Sequence, residues 1–279
     1  MSLDPQDFKY LSQLLQERSG LVLTEDKYYL LEFRLLPLLR RLKLDTISAL
    51  VAQLKLNSIQ DTLVEITEAM TTNEKSFFRD RKPFEQFRQI TLPHLIKNAK
   101  NKKIRIWSAA CSTGQEPYSL AMCVLEEAAK LGDIKVEIIA TDLASHLLRK
   151  AEDGYYTQFE VQRGLPVMLM VKYFEQRADK WRIRENVRSM VTYRQANLLE
   201  DMSHLGQFDM IFCRNVLVYF DAPTKAKVLA SLYGQTLPHG VLAIGSAETL
   251  YGVTDKFKPA SADEKSHGLY VRQEYNGSL

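Results

Sequence analysis

A carboxylate follows closely behind the single glycine of a turn near the middle of the chain. The stretch WSAACSTGQE, residues 107–116, passes from apolar residues through small ones to Gly114, and Glu116 begins a predicted helix. Small residues allow a ligand close to the backbone, and glycine adopts turn conformations that other residues avoid. The stretch lacks the GxGxxG pattern that admits a pyrophosphate at a helix N-terminus. A carboxylate at this position repels a phosphate and favours a cation.

Polar side chains also follow the later predicted strands. The second strand ends in ATD, which places Asp142 at its tip, somewhat further from Gly114 than the roughly 20 residues that are typical of dinucleotide sites. An acid there accepts hydrogen bonds from ribose hydroxyls, and ligands of open α/β sheets bind beyond the carboxyl ends of the strands. The other candidates at strand ends are Asn197, Arg214, Asn215 and Tyr219.

These residue types together favour one kind of ligand. A molecule that has a ribose and a positive charge, and no phosphate, is S-adenosylmethionine. The pattern therefore indicates a methyltransferase, while an enzyme that uses another nucleotide and a domain without catalytic activity stay open as alternatives. The five histidines show no spacing typical of metal ligands, so we expect no metal site.

Two kinds of pattern position these residues. Residues 5 to about 70 carry helical spacing without strand signals, and the first apolar face ends at Gly20. A second helix begins with a Thr/Glu capping signal at Thr24 and contains Pro37, which predicts a kink or a break. From about residue 104, apolar strands alternate with helical segments, and this alternation predicts a mostly parallel sheet.

We therefore predict an α/β protein with an all-α N-terminal domain over residues 1–72. An aromatic and basic linker spans residues 73–103. Residues 104–279 form a Rossmann-like methyltransferase domain that binds S-adenosylmethionine. A small antiparallel β subdomain is inserted into it at about residues 157–195, where the alternation of strands and helices is interrupted.

Composition limits the choice of partners and compartment. The net charge of the 279 residues is only +3, which does not single out nucleic acid as a partner. Three cysteines without a CxxC pair fit a reducing compartment. The N-terminus lacks a signal-peptide core, and no apolar run approaches the roughly 20 residues that span a bilayer. We expect a cytoplasmic monomer that neither binds nucleic acid nor inserts into a membrane.

Five motifs in order resemble those of CheR-type chemotaxis receptor methyltransferases, and the resemblance runs almost from end to end. They are MTTNEKSFFRD (70–80), WSAACSTGQEPYSLAM (107–122), ATDLASHLLRKAEDGYY (140–156), ANLLE (196–200) and FCRNVLVYFD (212–221). The resemblance implies transfer of a methyl group from S-adenosylmethionine to glutamate side chains on cytoplasmic receptor helices, with S-adenosylhomocysteine as product. Such methylation tunes chemotactic adaptation.

The resemblance also implies roles for matched residues. Arg79 and Tyr219 lie near the reacting methyl and are the implied catalytic residues. The implied cofactor-binding residues are Asn73, Lys75, Arg79, Glu116, Asp142, Asn197, Leu198, Arg214 and Asn215.

Within this set, each part of the cofactor has its own residues. Glu116 complements the positive charge of the methionine part, and Asp142 holds the ribose. Asn197 and Leu198 flank the adenine, while the methionine end is lined by Arg214 and Asn215.

This sequence departs from the family at one position of the linker motif. Lys75 stands where the family usually has threonine, so the cofactor contact of a threonine hydroxyl is replaced by a longer cation. The lysine head group either extends away from the site or contacts the cofactor carboxylate.

Two parts of the chain determine how we expect it to contact the receptor. A basic helix carries Arg34, Arg40, Arg41 and Lys43, and we expect it to dock acidic receptor helices. Some family members also bind a receptor C-terminal pentapeptide by strand addition, through a glycine-containing loop of the β subdomain. Here the corresponding stretch, YFEQRADKWRIRENV, has a short connection without glycine, which predicts independence from the pentapeptide.

Two other function classes compete with this interpretation. One is a methyltransferase that acts on RNA or a small molecule, against which the weak net basicity counts. The other is a binding module without catalytic activity, which Lys75 leaves open.

Overall fold

The protein is described by a computed structural model that covers residues 4–56, 60–70, 75–277 and 279. The chain divides into two compact units. The smaller unit comprises Met1–Glu74 together with Tyr219–Lys225, and the larger comprises Lys75–Val218 and Ala226–Leu279. None of the described helices has the length and apolar character that a membrane crossing requires.

The smaller unit is helical, as predicted. Its helices are α1 (Pro5–Ser19), α2 (Tyr28–Leu42), α3 (Ile47–Leu56) and α4 (Gln60–Met70). Asp4 accepts the backbone N–H of Gln6 at the start of α1, and Gly20 ends the helix with a φ of 74°. Leucines from all four helices form the buried core, which Tyr219 also contacts. The predicted end of α1 at Gly20 is confirmed. The helix ends there because glycine takes this left-handed conformation without strain.

α2 begins later than the sequence prediction, and the alternative of a break at Pro37 is not realised. A short 3₁₀ turn (Glu25–Lys27) precedes the helix, and Lys27 at its N-cap makes no side-chain capping bond, so the predicted Thr24 cap is wrong. The helix also continues through Pro37 without a break. Pro37 is exposed, and water can therefore satisfy the carbonyl group that lacks its usual N–H partner.

The larger unit begins with a helical linker and continues with alternating strands and helices. The linker contains α5 (Lys82–Gln86), a π turn (Phe87–Thr91) and α6 (Leu92–Asn98). The following elements are β1 (Lys103–Ala109), α7 (Gln115–Glu126), α8 (Ala128–Leu131), β2 (Lys135–Asp142), α9 (Ser145–Asp153), β3 (Tyr155–Thr157), α10 (Gln158–Gln162), α11 (Val167–Tyr173), β4 (Phe174–Arg177), β5 (Lys180–Ile183), α12 (Glu185–Arg188), β6 (Val191–Gln195), β7 (Phe208–Cys213), α13 (Ala222–Gln235), β8 (Thr236–Ile244), β9 (Phe257–Pro259) and β10 (Leu269–Arg272).

Among the described residues the main sheet has the strand order β6-β2-β1-β7-β8-β10-β9. β1 is parallel to both β2 and β7, and only β10 and β9 run antiparallel to their neighbours. Successive strands extend from β1 in one direction to β6 and from β7 in the other, so the switch point lies between β1 and β7. The predicted Rossmann-like fold is confirmed. Ligands of such folds bind beyond the carboxyl ends of the strands at this point.

Burial explains why these strands could be read from the sequence. Every residue of β7 is buried, and four consecutive residues at the end of β1 are buried as well. Strands covered by helices on both faces are apolar throughout, which produces the continuous apolar runs seen in the sequence. β9 was not predicted, because it has only three residues and ends in Pro259; proline is tolerated at such a sheet edge.

The inserted subdomain contains a second sheet with the order β3-β5-β4, antiparallel throughout, as predicted. The Phe77 ring of the linker packs edge-on against Tyr156 and Phe174, with ring centroids 5.0 and 5.5 Å apart. A Cβ at Gly164 would approach the Phe77 carbonyl oxygen to 2.1 Å, so a side chain cannot fit there. The subdomain and the linker therefore form one packed core.

Candidate cofactor site

The turn between β1 and α7 is held in a conformation that few residues adopt. Ala110, Ser112 and Gly114 have φ values of 56°, 53° and 89°. The Cys111 N–H donates to the Thr141 carbonyl at 2.9 Å, which ties the turn to the end of β2. A Cβ at Gly114 would lie 2.8 Å from the Tyr193 hydroxyl, so the position requires glycine. Positive φ at non-glycine residues costs free energy and is concentrated at functional sites.

Asp142 connects this turn to the one that follows β2. Its Oδ2 accepts the backbone N–H of Ser112 at 2.7 Å, and its Oδ1 accepts the N–H of Ala144 at 2.9 Å. A carboxylate oxygen has two lone pairs, so a bond to a backbone N–H does not by itself prevent a bond to a ligand hydroxyl. The structure thus gives Asp142 a structural task that is compatible with the ribose contact expected from the sequence.

Three tyrosines surround the same turn: Tyr118 and Tyr156 are fully buried and Tyr193 is half-buried. The Tyr156 hydroxyl donates to the Thr113 carbonyl and the Tyr118 hydroxyl to the Ala151 carbonyl, each at 2.6 Å. The Tyr118 and Tyr193 rings meet edge to face at 5.8 Å. Burial raises the pKa of Tyr118 to about 12 and the pKa values of Tyr156 and Tyr193 well above the ordinary range. They therefore stay protonated and neutral at physiological pH.

Sequence reasoning missed this tyrosine shell. Tyr118, Tyr156 and Tyr193 come from a helix and from strands of two different sheets, and only the fold brings them together.

Glu116, Arg214 and Asp80 form a cluster at the ends of β1 and β7. We call it the acidic triad, because two of its three members are carboxylates. Glu116 accepts hydrogen bonds from the Ser108 hydroxyl at 2.8 Å and from Arg214 Nη1 at 2.9 Å. Arg214 Nη2 donates to the Asp80 carboxylate at 2.8 Å, and the Arg214 side chain is only 1% exposed. Glu116 is therefore paired with a guanidinium of the protein itself, whereas the sequence analysis considered only its attraction for a cationic ligand. Asp80 is a functional candidate that the sequence reasoning did not single out, although it directly follows Arg79.

The linker motif before α5 is also strained. Phe78, Asp80 and Arg81 have φ values of 49°, 65° and 49°. The Phe78 N–H donates to the Ser119 hydroxyl of α7 at 3.0 Å, and the Phe78 side chain is buried. The Phe78 contact fixes the backbone before Arg79, and the Asp80 contact with Arg214 fixes it after Arg79, whose side chain is half-buried.

A buried carboxylate organises the loop after β7. Glu248 is 8% exposed and accepts backbone N–H groups from Asn215 (2.9 Å), Val216 (3.0 Å), Val218 (3.2 Å) and Gly245 (2.6 Å). Asn215 adopts a φ of 59° in this loop. Glu248 thus holds the segment that presents Arg214 and Asn215, a role that the sequence analysis did not foresee.

The predicted adenine-flanking residues follow β6. Asn197 Oδ1 accepts the N–H of Leu199 at 3.1 Å, and Leu198 is half-buried. The Ala196 N–H donates to the Asp142 carbonyl at 3.0 Å, so this turn adjoins the end of β2. Asp142, Asn197 and Leu198 therefore belong to one neighbourhood at the carboxyl edge of the sheet.

The remaining predicted residues are distributed as follows. Lys75 is half-buried at the start of the larger unit, and Asn73 lies outside the described residues. Tyr219 groups with the helical unit, where its carbonyl accepts the Val22 N–H at 2.9 Å.

The basic residues of the helical unit have different surroundings. Arg34 donates to the Met70 carbonyl at 2.9 Å and is half-buried, so it caps the end of α4. Arg40 and Lys43 are exposed, and Arg41 is exposed in an ion pair with Glu65.

This donor set fits S-adenosylmethionine. A carboxylate lies at the tip of β2, and two carboxylates enclose one guanidinium at the switch point. The turn after β1 offers a tightly held backbone without a phosphate-binding glycine pattern. A ribose and a positive charge find complementary groups there.

Comparisons with known proteins agree with this geometry. Residues 6–71 match the family model described as CheR methyltransferase, all-alpha domain, and residues 73–266 match the model described as CheR methyltransferase, SAM binding domain.

Curated relatives match over most of their length. The chain is 39% identical over 264 residues to chemotaxis protein methyltransferase 1 of Pseudomonas aeruginosa, a match that covers 92% of this chain and 95% of the relative. It is 36% identical to chemotaxis protein methyltransferase Cher2 of Pseudomonas putida, with coverage of 92% and 95%. It is 38% identical to chemotaxis protein methyltransferase 1 of Vibrio cholerae serotype O1, with coverage of 92% and 94%.

Proposed function

Because this chain belongs to the CheR methyltransferase family and is an S-adenosylmethionine-dependent methyltransferase of chemotaxis, we propose that it methylates glutamate side chains on the cytoplasmic helices of chemoreceptors. The observation that carries the proposal is the acidic triad at the switch point of a chain with this family membership. We place the enzyme in the cytoplasm as a monomer, with receptor helices as partner and without nucleic acid.

The proposed reaction demands little acid–base chemistry from the protein. When bound, S-adenosylmethionine supplies a methyl group on a positively charged sulfur. A glutamate side chain has a pKa of about 4.3 and is already ionised at neutral pH, so no general base is needed. Alignment of two reactants can supply roughly 7–11 kcal/mol of a reaction barrier. The work of this chain is therefore mainly positioning.

We assign the positioning of the incoming carboxylate to Arg79. A guanidinium offers a planar fork of donors that matches a carboxylate. The contacts of Phe78 with Ser119, and of the Arg79 carbonyl with Arg214, restrain the backbone that carries this side chain. We assign to Tyr219 a single hydrogen bond that orients one carboxylate oxygen. The cofactor roles expected for Lys75, Asn197, Leu198 and Asn215 are part of the same proposal.

The docking surface that we propose lies on α2 and is wider than its basic residues. Tyr29 and Phe33 are 67% and 73% exposed, and Leu36 is also exposed. Together with Arg40 they are spaced as neighbours on one face of a helix. A receptor helix that carries acidic and apolar residues complements this face. Arg34 lies outside it and donates to the Met70 carbonyl at the end of α4.

We propose further that the enzyme acts without a receptor pentapeptide tether. The β4–β5 connection consists of Ala178 and Asp179, with no glycine and a φ of 54° at Ala178. A connection of this length adds little surface beside the edge strand β4.

Tritiated-methyl transfer tests the proposed function. The full chain is incubated with labelled S-adenosylmethionine and a cytoplasmic receptor fragment, and the labelled fragment is treated with base. Release of labelled methanol identifies a carboxyl ester, and a matched fragment whose methylation-site glutamates are replaced by alanine should take up no label. Label that resists base, label on RNA, or no label would contradict the proposal.

A further inference from the structure

The Asp80 carboxylate contacts a guanidinium that has almost no access to water. Arg214 is 1% exposed, whereas Asp80 is 37% exposed and Glu116 is 19% exposed. A buried charge requires nearby compensation, and each of the two carboxylates provides it from a different segment of the chain.

The triad is not neutral. Over these three side chains, two carboxylates face one guanidinium, which leaves one net negative charge. The triad lies where the carboxyl ends of β1 and β7 diverge, which is the ligand position in folds of this topology. The negative charge therefore acts on whatever occupies the methionine end of the cofactor site.

Asp80 also belongs to the strained linker turn. Arg214 Nη2 donates both to the Asp80 carboxylate and to the Arg79 carbonyl, at 2.8 and 3.1 Å. Asp80 itself has a φ of 65°, a conformation that persists only when surrounding contacts impose it. The Arg214 guanidinium thus fixes both the backbone of this turn and the position of the Asp80 carboxylate.

We propose that Asp80 is a positioning residue whose charge raises the affinity of the cofactor site for a cationic ligand relative to its affinity for a neutral ligand of nearly the same shape. S-adenosylmethionine carries a positive sulfur, and S-adenosylhomocysteine carries an uncharged one. The excess negative charge that Asp80 supplies through the triad stabilises the methyl donor relative to the product. The inference uses the methyl donor named above and does not depend on the glutamate substrate of the proposed function.

Calorimetric binding of the two molecules to the full chain tests this role. In Asp80→Asn, an amide oxygen can still accept the hydrogen bond from Arg214, while the charge is lost. We expect the ratio of the Kd for S-adenosylmethionine to the Kd for S-adenosylhomocysteine to rise roughly fivefold, a modest change because solvent screens a partly exposed carboxylate. Asp80→Glu keeps the charge and should keep the ratio within about twofold of the wild-type value.

The matched control is Asp133→Asn, which removes a carboxylate from an exposed ion pair with Lys102. Its ratio should equal that of the wild type. If Asp80→Asn weakens both ligands equally, Asp80 has a structural role only and the proposal is wrong. An unchanged ratio with unchanged affinities also overturns it. Because the measurement needs no receptor, failure to methylate a receptor fragment would affect the proposed function and leave this result intact.

Discussion

The carboxylate of Asp142 accepts the backbone N–H of Ser112 at 2.7 Å and, through its other oxygen, the N–H of Ala144 at 2.9 Å. The side chain proposed to hold the ribose therefore also connects the turns that follow β1 and β2. Holding these two turns together and accepting a hydrogen bond from a ligand hydroxyl are compatible tasks for one carboxylate.

Replacement of Asp142 by asparagine should weaken both tasks. An amide has only one acceptor oxygen, so its NH₂ group would face one of the two N–H donors. We expect the free energy of unfolding without cofactor to fall by about 1–3 kcal/mol. Affinity for S-adenosylhomocysteine should also fall. Urea unfolding and calorimetry check both, with Asp153→Asn on the exposed end of α9 as control. Unchanged stability without cofactor would contradict the structural task.

Arg79→Ala should nearly abolish turnover, by about 100-fold or more, because it removes the proposed carboxylate dock. Tyr219→Phe should lower turnover only modestly, since it removes a single hydrogen bond. Turnover on a receptor fragment and cofactor affinity are measured for both variants. Arg149→Ala and Tyr251→Phe change exposed residues of the same types and serve as controls. Wild-type turnover in Arg79→Ala would show that the catalytic assignment is wrong.

Charge reversal at Arg40 and Arg41 should impair receptor methylation without a change in cofactor affinity. The two exposed guanidinium groups attract acidic receptor helices, so KM should rise most at low ionic strength and the difference should shrink with added salt. The matched control reverses the exposed Lys97 and Lys100 in the linker region. Loss of cofactor binding in the Arg40 and Arg41 variant would count against a docking role.

Tyr118 should make stability fall at alkaline pH. An unfolded tyrosine loses its proton near pH 10, whereas burial raises the pKa of Tyr118 to about 12 in the folded protein. Between these values the folded state keeps a proton that the unfolded state has lost. This contribution to stability is complete below pH 10 and decreases by about 1.4 kcal/mol per pH unit as the pH rises towards 12.

Tyr118→Phe lacks this titration. Near pH 9 the variant should be less stable by about 1 kcal/mol, because the hydrogen bond to the Ala151 carbonyl is lost. The difference in stability from the wild type should narrow as the pH rises, because only the wild type loses the contribution of Tyr118. Tyr156 and Tyr193 titrate in both proteins, so their effects cancel. Urea unfolding at several pH values measures it, with Tyr251→Phe as the exposed control. A constant difference across the alkaline range would refute the assignment.

Removal of a receptor C-terminal pentapeptide should leave methylation unchanged. The β4–β5 connection offers little surface for strand addition, so the Kd of the free peptide should be weaker than about 1 mM. Calorimetry measures the peptide, and kcat/KM is compared for receptor fragments with and without it. A micromolar Kd would contradict the proposed independence from the tether.

Local pattern was sufficient for much of the fold. Strands β1, β2, β6, β7, β8 and β10 each overlap a strand predicted from the sequence. The central strands β1 and β7 were the clearest, because strands covered on both faces are apolar along most of their length. The switch between helical and alternating patterns likewise indicated an all-α region followed by a Rossmann-like sheet. The Thr24 signal was misleading, because a 3₁₀ turn follows it and α2 begins only at Tyr28. Pro37 does not break α2, because its exposure lets water satisfy the carbonyl group that lacks an N–H partner.

The chemistry at the strand ends was only partly readable. By itself the sequence determined which charges are available near the switch point, and Glu116, Asp142 and Arg214 all follow or adjoin predicted strands. Only the tertiary structure decided which charges are paired. Arg214 lies between Glu116 and Asp80, two acids that are distant from it along the chain. Burial and ion pairing depend on distances between segments, which residue spacing does not specify.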